Sequence, residues 1–543
     1  MTIFSTHRFL KYGAAIAALL CLLPMVAVMV AAATGSTDTL RHLADTVLLR
    51  YTLTTLALMA IVTVGTAIVG TGAAWLVTMT RFPGRAVMEV MLALPFAFPA
   101  YVIGYAYTDF LDHPGAVQTL LRDVTGWGPR DYWFPEIRSI GGAGLMFILV
   151  LYPYVYLLAR TAFLRETATA NLAARTLGRG ASGAFWSVSI PIARPAIAGG
   201  VLLAVMETIA DFGTVSYFGI QTFATGIYTS WFSFADRGAA SQLAFCLLVF
   251  ALLLATLERI QRGAARNHGA GNVAKHPQRI HLSGWNAWGA FTFCAIPVFF
   301  GFVLPLILLF EMSLSAEQQL FSARYLNFII NSVVLASTAA VATVLMALLL
   351  GSYKRFSPGW FSSAASSVAR IGYAVPGGVI AVGILVPFAA LDNWIDALAE
   401  QHFNVSTGLI FTGTITVLVM AYMVRFMAAA LNAYDSGLST VNTNIESVSK
   451  TFGYSPGEIL FKVHFPILKT SVFTAMLIVF VDVMKELPAT LIMRPFNFDT
   501  LAVQAHRLAS DERLNGAAIP SLIIVLVGLV PVILLCRRLS NNR

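Results

Sequence analysis

The sequence contains little charge for its length. Asp, Glu, Lys and Arg make up 11% of its 543 residues, whereas soluble globular domains carry about 25%. Hydrophobic residues make up 58%, and the mean hydropathy is +0.76. This composition excludes a soluble enzyme, which could not bury so many apolar residues. It also excludes a disordered chain, which contains few apolar residues. We therefore expect lipid to surround most of the chain.

Sites for covalent, metal or nucleotide chemistry are also missing. The four cysteines, Cys21, Cys246, Cys294 and Cys536, form no CxxC spacing, so neither a disulfide framework nor a zinc site is indicated. A GxxxxGK[ST] sequence is absent, so the chain has no loop of its own for ATP phosphates. We predict no catalytic residue and no metal ligand.

Long apolar runs are abundant. A bilayer core of about 30 Å needs about 20 mostly apolar residues per helix. Twelve stretches of the sequence qualify and predict an all-α polytopic membrane protein with about 12 transmembrane helices. They lie near 12–33, 54–79, 87–108, 140–160, 196–219, 239–260, 287–312, 329–351, 366–391, 407–430, 471–493 and 517–537.

The spans form two six-helix repeats. A shift of 275 residues places 12–33 on 287–308 and 54–79 on 329–354, the self-similarity expected of an internal repeat. Because 12–33 has a retained counterpart, we interpret it as a span and not as a cleaved signal peptide. We predict a first half at 1–262, a linker at 263–285 and a second half at 286–543.

The distribution of Lys and Arg predicts the orientation. With the N-terminus in the cytoplasm, basic residues clearly outnumber acidic ones on the cytoplasmic segments, and acidic residues predominate on the outer ones, as the positive-inside rule requires. Both termini are then cytoplasmic. So are the first long loop, defined here as 161–195, and the second long loop, 431–470.

The two long loops share a motif at the same offset. In the first, Leu172-Ala173-Ala174-Arg175-Thr176-Leu177-Gly178 is followed ten residues after the glycine by Val188-Ser189-Ile190-Pro191. In the second, Ser447-Val448-Ser449-Lys450-Thr451-Phe452-Gly453 is followed at the same distance by Val463-His464-Phe465-Pro466. The spacing is kept without a gap.

The motif predicts a helix, a glycine stop, a short second helix and a break at proline. Gly178 and Gly453 suit the left-handed position after a helix end. Ser455-Pro456-Gly457-Glu458 has the pattern of a capping box. A short, well-capped helix of this kind could dock onto another protein; ordinary amphipathic connectors are the alternative.

These loops resemble the Glu-Ala-Ala-x-x-x-Gly-x9-Ile-x-Leu-Pro signature of the membrane permeases of binding-protein-dependent ABC importers. The chain resembles two permease halves fused into one. It departs from the signature where Leu172 replaces the Glu, and where Ser447-Val448-Ser449 replaces Glu-Ala-Ala, with Glu446 one place earlier. The resemblance implies ATPase coupling by thirteen residues: Leu172, Ala173, Ala174, Gly178, Val188, Ile190, Pro191, Glu446, Ser447, Gly453, Val463, Phe465 and Pro466.

Charged residues within spans are costly and indicate function. Glu207 and Asp211 lie in the fifth predicted span, and Asp482 and Glu486 lie at the equivalent positions of the eleventh. Each pair is four residues apart, on one predicted helical face. We predict either a cation-friendly translocation pathway, including Lys485, or internal ion pairing of Lys485 with its acidic neighbours.

The segments after these carboxylates are similar to ferric-iron permeases of this class. They are Asp211 to Gly219, Thr225 to Tyr228, Lys485 to Leu491 and Arg494 to Thr500. Permeases for thiamine, sulfate, molybdate or polyamines share the architecture and remain alternatives. An ion-coupled secondary transporter would also use internal repeats and intramembrane carboxylates, but the duplicated loops favour the ATP-driven class. A polytopic membrane enzyme is disfavoured.

The resemblance implies a multi-pass protein of the bacterial inner membrane. Its partners would be two cytoplasmic ATPase subunits, a periplasmic substrate-binding protein and membrane lipid, and no nucleic acid. We expect no cofactor on this chain, with ATP and Mg²⁺ held by the ATPase. Movement of the long loops would then switch the cavity between outward and inward access.

Overall fold

The computed structural model describes residues 2–176, 180–268, 279–316, 322–439 and 441–541. Within these ranges nearly all regular structure is helical, as the apolar runs predict, because a helix satisfies its own backbone hydrogen bonds in lipid. Eleven helices there are long and apolar enough to span a membrane. A twelfth span is formed if the bent pair Arg85–Ala97 and Ala100–Thr125 is counted as one.

The elements up to the linker are, in chain order, α1 (Thr2–Ala33), α2 (Thr37–Leu43), a π-helical turn (Ala44–Leu48), α3 (Leu49–Met79), β1 (Thr80–Arg81), α4 (Arg85–Met91), a 3-10 turn (Leu94–Ala97), α5 (Ala100–Leu111), α6 (Ala116–Thr125), α7 (Ile140–Thr176), α8 (Ala181–Ala184), a π-helical turn (Phe185–Ser189), α9 (Ile190–Ala210), α10 (Gly213–Tyr217), α11 (Phe223–Phe232) and α12 (Arg237–His268).

The elements after the linker are β2 (Ile280–His281), α13 (Gly284–Val298), a π-helical turn (Phe299–Val303), α14 (Leu304–Leu314), α15 (Ala323–Phe356), α16 (Trp360–Ile371), a 3-10 turn (Gly372–Ala374), α17 (Gly377–Phe403), α18 (Thr416–Leu438), α19 (Thr443–Thr451), α20 (Pro456–Glu458), a π-helical turn (Ile459–His464), α21 (Phe465–Met484), α22 (Pro488–Met493), α23 (Leu501–Ser510) and α24 (Leu514–Asn541).

The chain divides into two compact units. Unit 1 contains Met1–Val47, Gly226–Leu252 and Gln319–Gln504. Its helices α15, α18 and α21 pack on one another, and α1 packs on α15, α16 and α17. The second half of the sequence thus surrounds the first span of the chain in this unit.

Unit 2 contains Leu48–Thr225, Leu253–Gln318 and Ala505–Arg543. Here α3, α7 and α9 pack together, at the positions that the 275-residue offset assigns to α15, α18 and α21. α14 packs on α5 and α24, and β1 pairs in parallel with β2. The units therefore follow a different division from the sequence repeat, whose limits at 262 and 286 stay a prediction.

Each unit contains an ion pair between a short helix and the span that leads into a long loop. In unit 2, Glu89 of α4 pairs with Arg160 of α7, and both are buried. In unit 1, Arg370 of α16 pairs with Asp435 of α18 at 2.5 Å. Arg160 and Asp435 occupy equivalent repeat positions, so the charges of the two pairs are inverted.

Several predicted spans have wrong limits. The run 87–108 is divided by a 93° bend between Ala97 and Ala100, and 366–391 contains the break between α16 and α17. The run 407–430 becomes helical only at Thr416. The fifth and eleventh spans end at Ala210 and Met484, before the predicted ends. Apolarity alone did not reveal these breaks, because each sequence is again apolar soon after the break, even past Asp211 and past Lys485-Glu486.

Candidate functional site

The second long loop contains a capped helix and a glycine turn. The side chain of Asn442 accepts the backbone N–H of Asn444 at 3.0 Å and caps α19. After α19 the chain turns at Gly453, whose φ is +79°, and its N–H donates to the Lys450 carbonyl at 3.0 Å. Glycine adopts this left-handed conformation more readily than residues with a Cβ. The predicted glycine stop is confirmed.

The capping box of the second loop is also confirmed. The Ser455 N–H donates to Glu458 Oε2 at 3.0 Å, and the Glu458 N–H donates to Ser455 Oγ at 3.3 Å. The Ser455 N–H and the Lys462 ammonium, 2.9 Å from Glu458 Oε1, lower the pKa of Glu458 to about 2. Glu458 is therefore ionised at neutral pH and fixes the start of the short helix.

The predicted break at proline is wrong in both loops. α20 continues through the π-helical turn Ile459–His464 into α21, with Pro466 in its first turn. The first loop does the same through Phe185–Ser189 and Pro191 of α9. Proline has no N–H to donate to the preceding turn, and a wider π turn accommodates that defect without interrupting the helix. The short helix is thus continuous with the span that follows.

Glu446 connects α19 to two other elements of unit 1. Its Oε1 accepts Arg355 Nε, from the last turn of α15, at 2.7 Å, and it contacts His464 Nε2 at 3.1 Å. Glu446 is 7% exposed and His464 is fully buried. The residue nearest to the missing signature glutamate therefore faces the interior of unit 1.

The opposite side of α19 is apolar and exposed. Ile445 and Val448 of α19 and Phe452, which directly follows it, are 41%, 53% and 77% exposed, and their i, i+3, i+7 spacing places them on one side. This apolar stripe was missed in the sequence because Ser447 and Lys450 interrupt it. Spacing of this kind fits a groove on a partner protein.

The other predicted coupling residues divide by accessibility. Ser447, Phe465 and Pro466 are exposed and Val463 is half-buried; in the first loop Pro191 is exposed, and Val188 and Ile190 are half-buried. Leu172, Ala173 and Ala174 lie in α7, but their side chains are outside the described part, as is the whole of Gly178. Trp186 and Phe461, which are equivalent at the 275-residue offset, were not among the predicted coupling residues. They are 68% and 71% exposed.

The intramembrane carboxylates are arranged differently from the prediction. Glu207 and Asp482 lie in α9 and α21, but Asp211 and Glu486 follow the ends of these helices. Each predicted pair therefore straddles a helix end and does not share a helical face. The signals that could have shown this are Gly213 and Pro488, which begin the next short helices.

Asp211 and Glu486 cap those short helices. Asp211 Oδ1 accepts the N–H groups of Thr214 and Val215 at 2.8 and 3.3 Å. Glu486 accepts the N–H groups of Ala489 and Thr490 at 3.1 and 3.2 Å. Carboxylates at helix N-termini are stabilised by unpaired N–H groups and by the helix dipole. The same cap thus occurs in both units.

The predicted internal pairing of Lys485 is confirmed for one neighbour. Its Nζ lies 2.9 Å from Asp482 Oδ1, and the two side chains are 27% and 22% exposed. Glu486 instead receives a hydrogen bond from the hydroxyl of Thr490 at 3.0 Å. Within the described ranges, His, Cys, Asp and Glu form no group of three that could hold a metal ion.

Unit 2 contains a polar cavity of about 430 Å³. Arg138 lines it and lies 2.7 Å from Glu512 Oε1 and 3.6 Å from Asp112 Oδ2. The hydrogen bond from Arg138 lowers the pKa of Glu512. The arginine thereby connects the start of α7 to the end of α5 and to the turn between α23 and α24.

Residues 343–542 match the family described as the binding-protein-dependent transport system inner membrane component. The Fe(3+)-transport system permease protein FbpB 2 of Haemophilus influenzae is 25% identical over 489 residues, which cover 89% of this chain and 88% of that protein. The sulfate transport system permease protein CysW of Escherichia coli is 30% identical over 205 residues, covering 38% and 68%.

The molybdenum transport system permease protein ModB of Escherichia coli is 27% identical over 190 residues, covering 34% of this chain and 79% of that protein. These relatives are all named transport system permease proteins but differ in the cargo they are named for. Together with the many apolar helices, they make this chain a multi-pass membrane protein. The chain belongs to the binding-protein-dependent family of ABC importer permeases.

Proposed function

We propose that this chain is the permease of an ATP-driven importer for ferric iron, delivered by a periplasmic binding protein. The observation that carries the proposal is the similarity to a ferric permease over 89% of the chain. The sulfate and molybdenum permeases match shorter stretches of 205 and 190 residues, which are 68% and 79% of their own lengths, whereas the ferric permease matches 489 residues. An oxyanion importer is the alternative.

We further propose that the two long loops each receive one ATPase subunit on the cytoplasmic side. The apolar stripe at α19 supports this because it is an exposed apolar face, and the capping box supports it because it fixes the start of α20. ATP and Mg²⁺ would be bound by the ATPase. In this orientation both termini are cytoplasmic, as the placement of Lys and Arg predicts.

The continuous path from α20 into α21 gives the proposed coupling a physical route. A displacement of α20 moves the start of α21 directly, because the helix is continuous between them. Two states of this connection would correspond to outward and inward access. Glu207, Asp211, Asp482, Lys485 and Glu486 stay candidate pathway residues, although Asp211 and Glu486 already act as helix caps.

Reconstitution tests the proposal. The chain is placed in liposomes with an ATPase and a binding protein encoded beside it, and uptake of radioactive ferric iron is measured with and without ATP. We expect ATP-dependent uptake that an excess of molybdate or sulfate does not reduce. Uptake of an oxyanion would support the alternative, whereas uptake by the chain alone on a proton or sodium gradient would establish a secondary transporter.

A further inference from the structure

The two long loops differ in the residues available to attach them to their spans. Arg355, Glu446 and His464 form one connected group in unit 1. The positions 275 residues earlier are Thr80, Asn171 and Ser189. These residue types carry no charge, so the first loop cannot form the same ionic group at those positions.

The group in unit 1 joins three elements at one carboxylate. Glu446 lies in α19 and Arg355 lies in the last turn of α15. His464 is the last residue of the π-helical turn before α21. Arg355 Nη2 also donates to the Val441 carbonyl at 3.1 Å, at the entrance to α19. The Phe356 ring stacks on the His464 imidazole with centroids 5.4 Å apart and an angle of 1° between the rings.

Burial makes this connection stiff. Glu446 is 7% exposed and His464 is 0% exposed, so water does not replace the lost contacts if one partner moves away. Removing one member of such a buried pair is costly, because the other charge stays buried. α19 therefore cannot shift relative to α15 without breaking the hydrogen bonds of Glu446.

We propose that Arg355, Glu446 and His464 are positioning residues that transmit movement of the second long loop to α15 as well as to α21. The first long loop is continuous with α9 and contacts α3 through the Phe185 and Trp75 rings, whose centroids are 5.0 Å apart. The second loop thus has an ionic connection to α15 that the uncharged residues at the equivalent positions of the first half cannot supply. This inference rests on the proposed function, because it concerns how ATPase movement reaches the spans.

The test compares neutral variants in the reconstituted importer. In Glu446→Gln and Arg355→Gln we expect cargo moved per ATP hydrolysed to fall about tenfold, within the usual range of coupling factors. Affinity for the ATPase should change less than about twofold, because the apolar stripe is untouched. The matched control is Glu512→Gln, which removes an ion pair with Arg138 outside both long loops and should leave the cargo-to-ATP ratio unchanged.

A cross-link separates positioning from simple stability. Arg355→Cys with Glu446→Cys, in a background without the four native cysteines, should be poorly coupled when reduced. Joining the two thiols with a short bifunctional methanethiosulfonate should restore the cargo-to-ATP ratio, and reduction should abolish it again. A wild-type ratio in the reduced variant, or no recovery on cross-linking, overturns the inference. Absence of ATP-driven uptake in the wild-type protein would instead overturn the proposed function.

Discussion

Asp211 Oδ1 accepts the backbone N–H of Thr214 at 2.8 Å, while Asp211 Oδ2 accepts the Thr214 hydroxyl at 3.1 Å. The carboxylate thus closes the turn where α9 ends and α10 begins. This contact gives the Asp211 carboxylate a structural role. Capping a helix requires a hydrogen-bond acceptor, whereas a cation pathway would require the negative charge. A role in helix capping and a role in a cation pathway therefore predict different results for the same substitutions of Asp211.

For Asp211 we expect the alanine variant to be far more damaging than the asparagine variant. Asn caps a helix about as well as Asp, whereas Ala does not, and loss of such a cap lowers the free energy of unfolding by about 0.5–2 kcal/mol. Thermal unfolding in detergent and uptake in liposomes measure the two effects. Equal loss of uptake in both variants, with stability retained in Asn, would show that the charge itself is needed.

Glu207 tests the pathway prediction more directly, because it lies within α9 and not at its end. Glu207→Gln preserves the shape of the side chain, so we expect uptake to fall severalfold while the melting temperature stays within a few degrees. The abundance of the protein in the membrane is the control measurement. Unchanged uptake at normal abundance would remove Glu207 from the pathway.

Gly453 should tolerate asparagine but not valine. Its φ of +79° is unfavourable for a β-branched residue by roughly 1–2 kcal/mol, whereas Asn enters this region more easily. No heavy atom lies within 4 Å of an added Cβ, so the effect is confined to the backbone. Pull-down of the ATPase and uptake should fall together in Gly453→Val.

The matched control for this prediction is Gly126→Val. Gly126 has a φ of +71° and equally open surroundings, but it follows α6 and lies outside both long loops. We expect the same backbone strain without loss of ATPase binding. If both variants lose ATPase binding equally, the effect of Gly453 is not specific to the second long loop.

Phe452 should be the strongest single contact of the apolar stripe, since it is its largest and most exposed member at 77%. Truncation of a central aromatic residue at an interface costs about 2–4 kcal/mol. We therefore expect Phe452→Ser to weaken ATPase binding at least tenfold, measured by titration with detergent-solubilised permease. Phe496→Ser, at a residue 98% exposed in the segment between α22 and α23, should leave the affinity unchanged.

The Asp482–Lys485 pair should contribute modestly to stability. Both side chains are partly exposed, and pairs of this kind contribute about 0.2–1 kcal/mol. A double-mutant cycle with Asp482→Asn and Lys485→Gln measures that coupling through thermal unfolding. A coupling near zero would mean that the observed contact does not stabilise the helix end.

Local chemistry made much of the second long loop predictable. Gly453, Ser455 and Glu458 act on neighbours within a few residues, so their spacing carries the information. Glu446 and Arg355 are 91 residues apart, and no local pattern reports such a contact. The apolar stripe was hidden for another reason, because the polar residues between its members lie on other faces of α19.

The helix breaks were missed because hydropathy indicates whether a residue prefers lipid or water and does not indicate backbone geometry. Phe212 and Leu487 are apolar and continue the runs that define the spans, although the backbone turns there. Capping by Asp211 and Glu486 is what makes the turns possible away from water. The carboxylates were predicted as pathway residues because the sequence alone does not distinguish a capping carboxylate in an apolar run from one that lines a pathway.

The inverted ion pairs restrict which segments can assemble. α4 brings the carboxylate of Glu89 to the guanidinium of Arg160, whereas α16 brings the guanidinium of Arg370 to the carboxylate of Asp435. Exchanging the equivalent residues Arg160 and Asp435 would oppose two carboxylates in unit 2 and two guanidinium groups in unit 1. The duplicated halves are therefore not interchangeable at this pair of positions, because each span carries the charge that its own short helix requires.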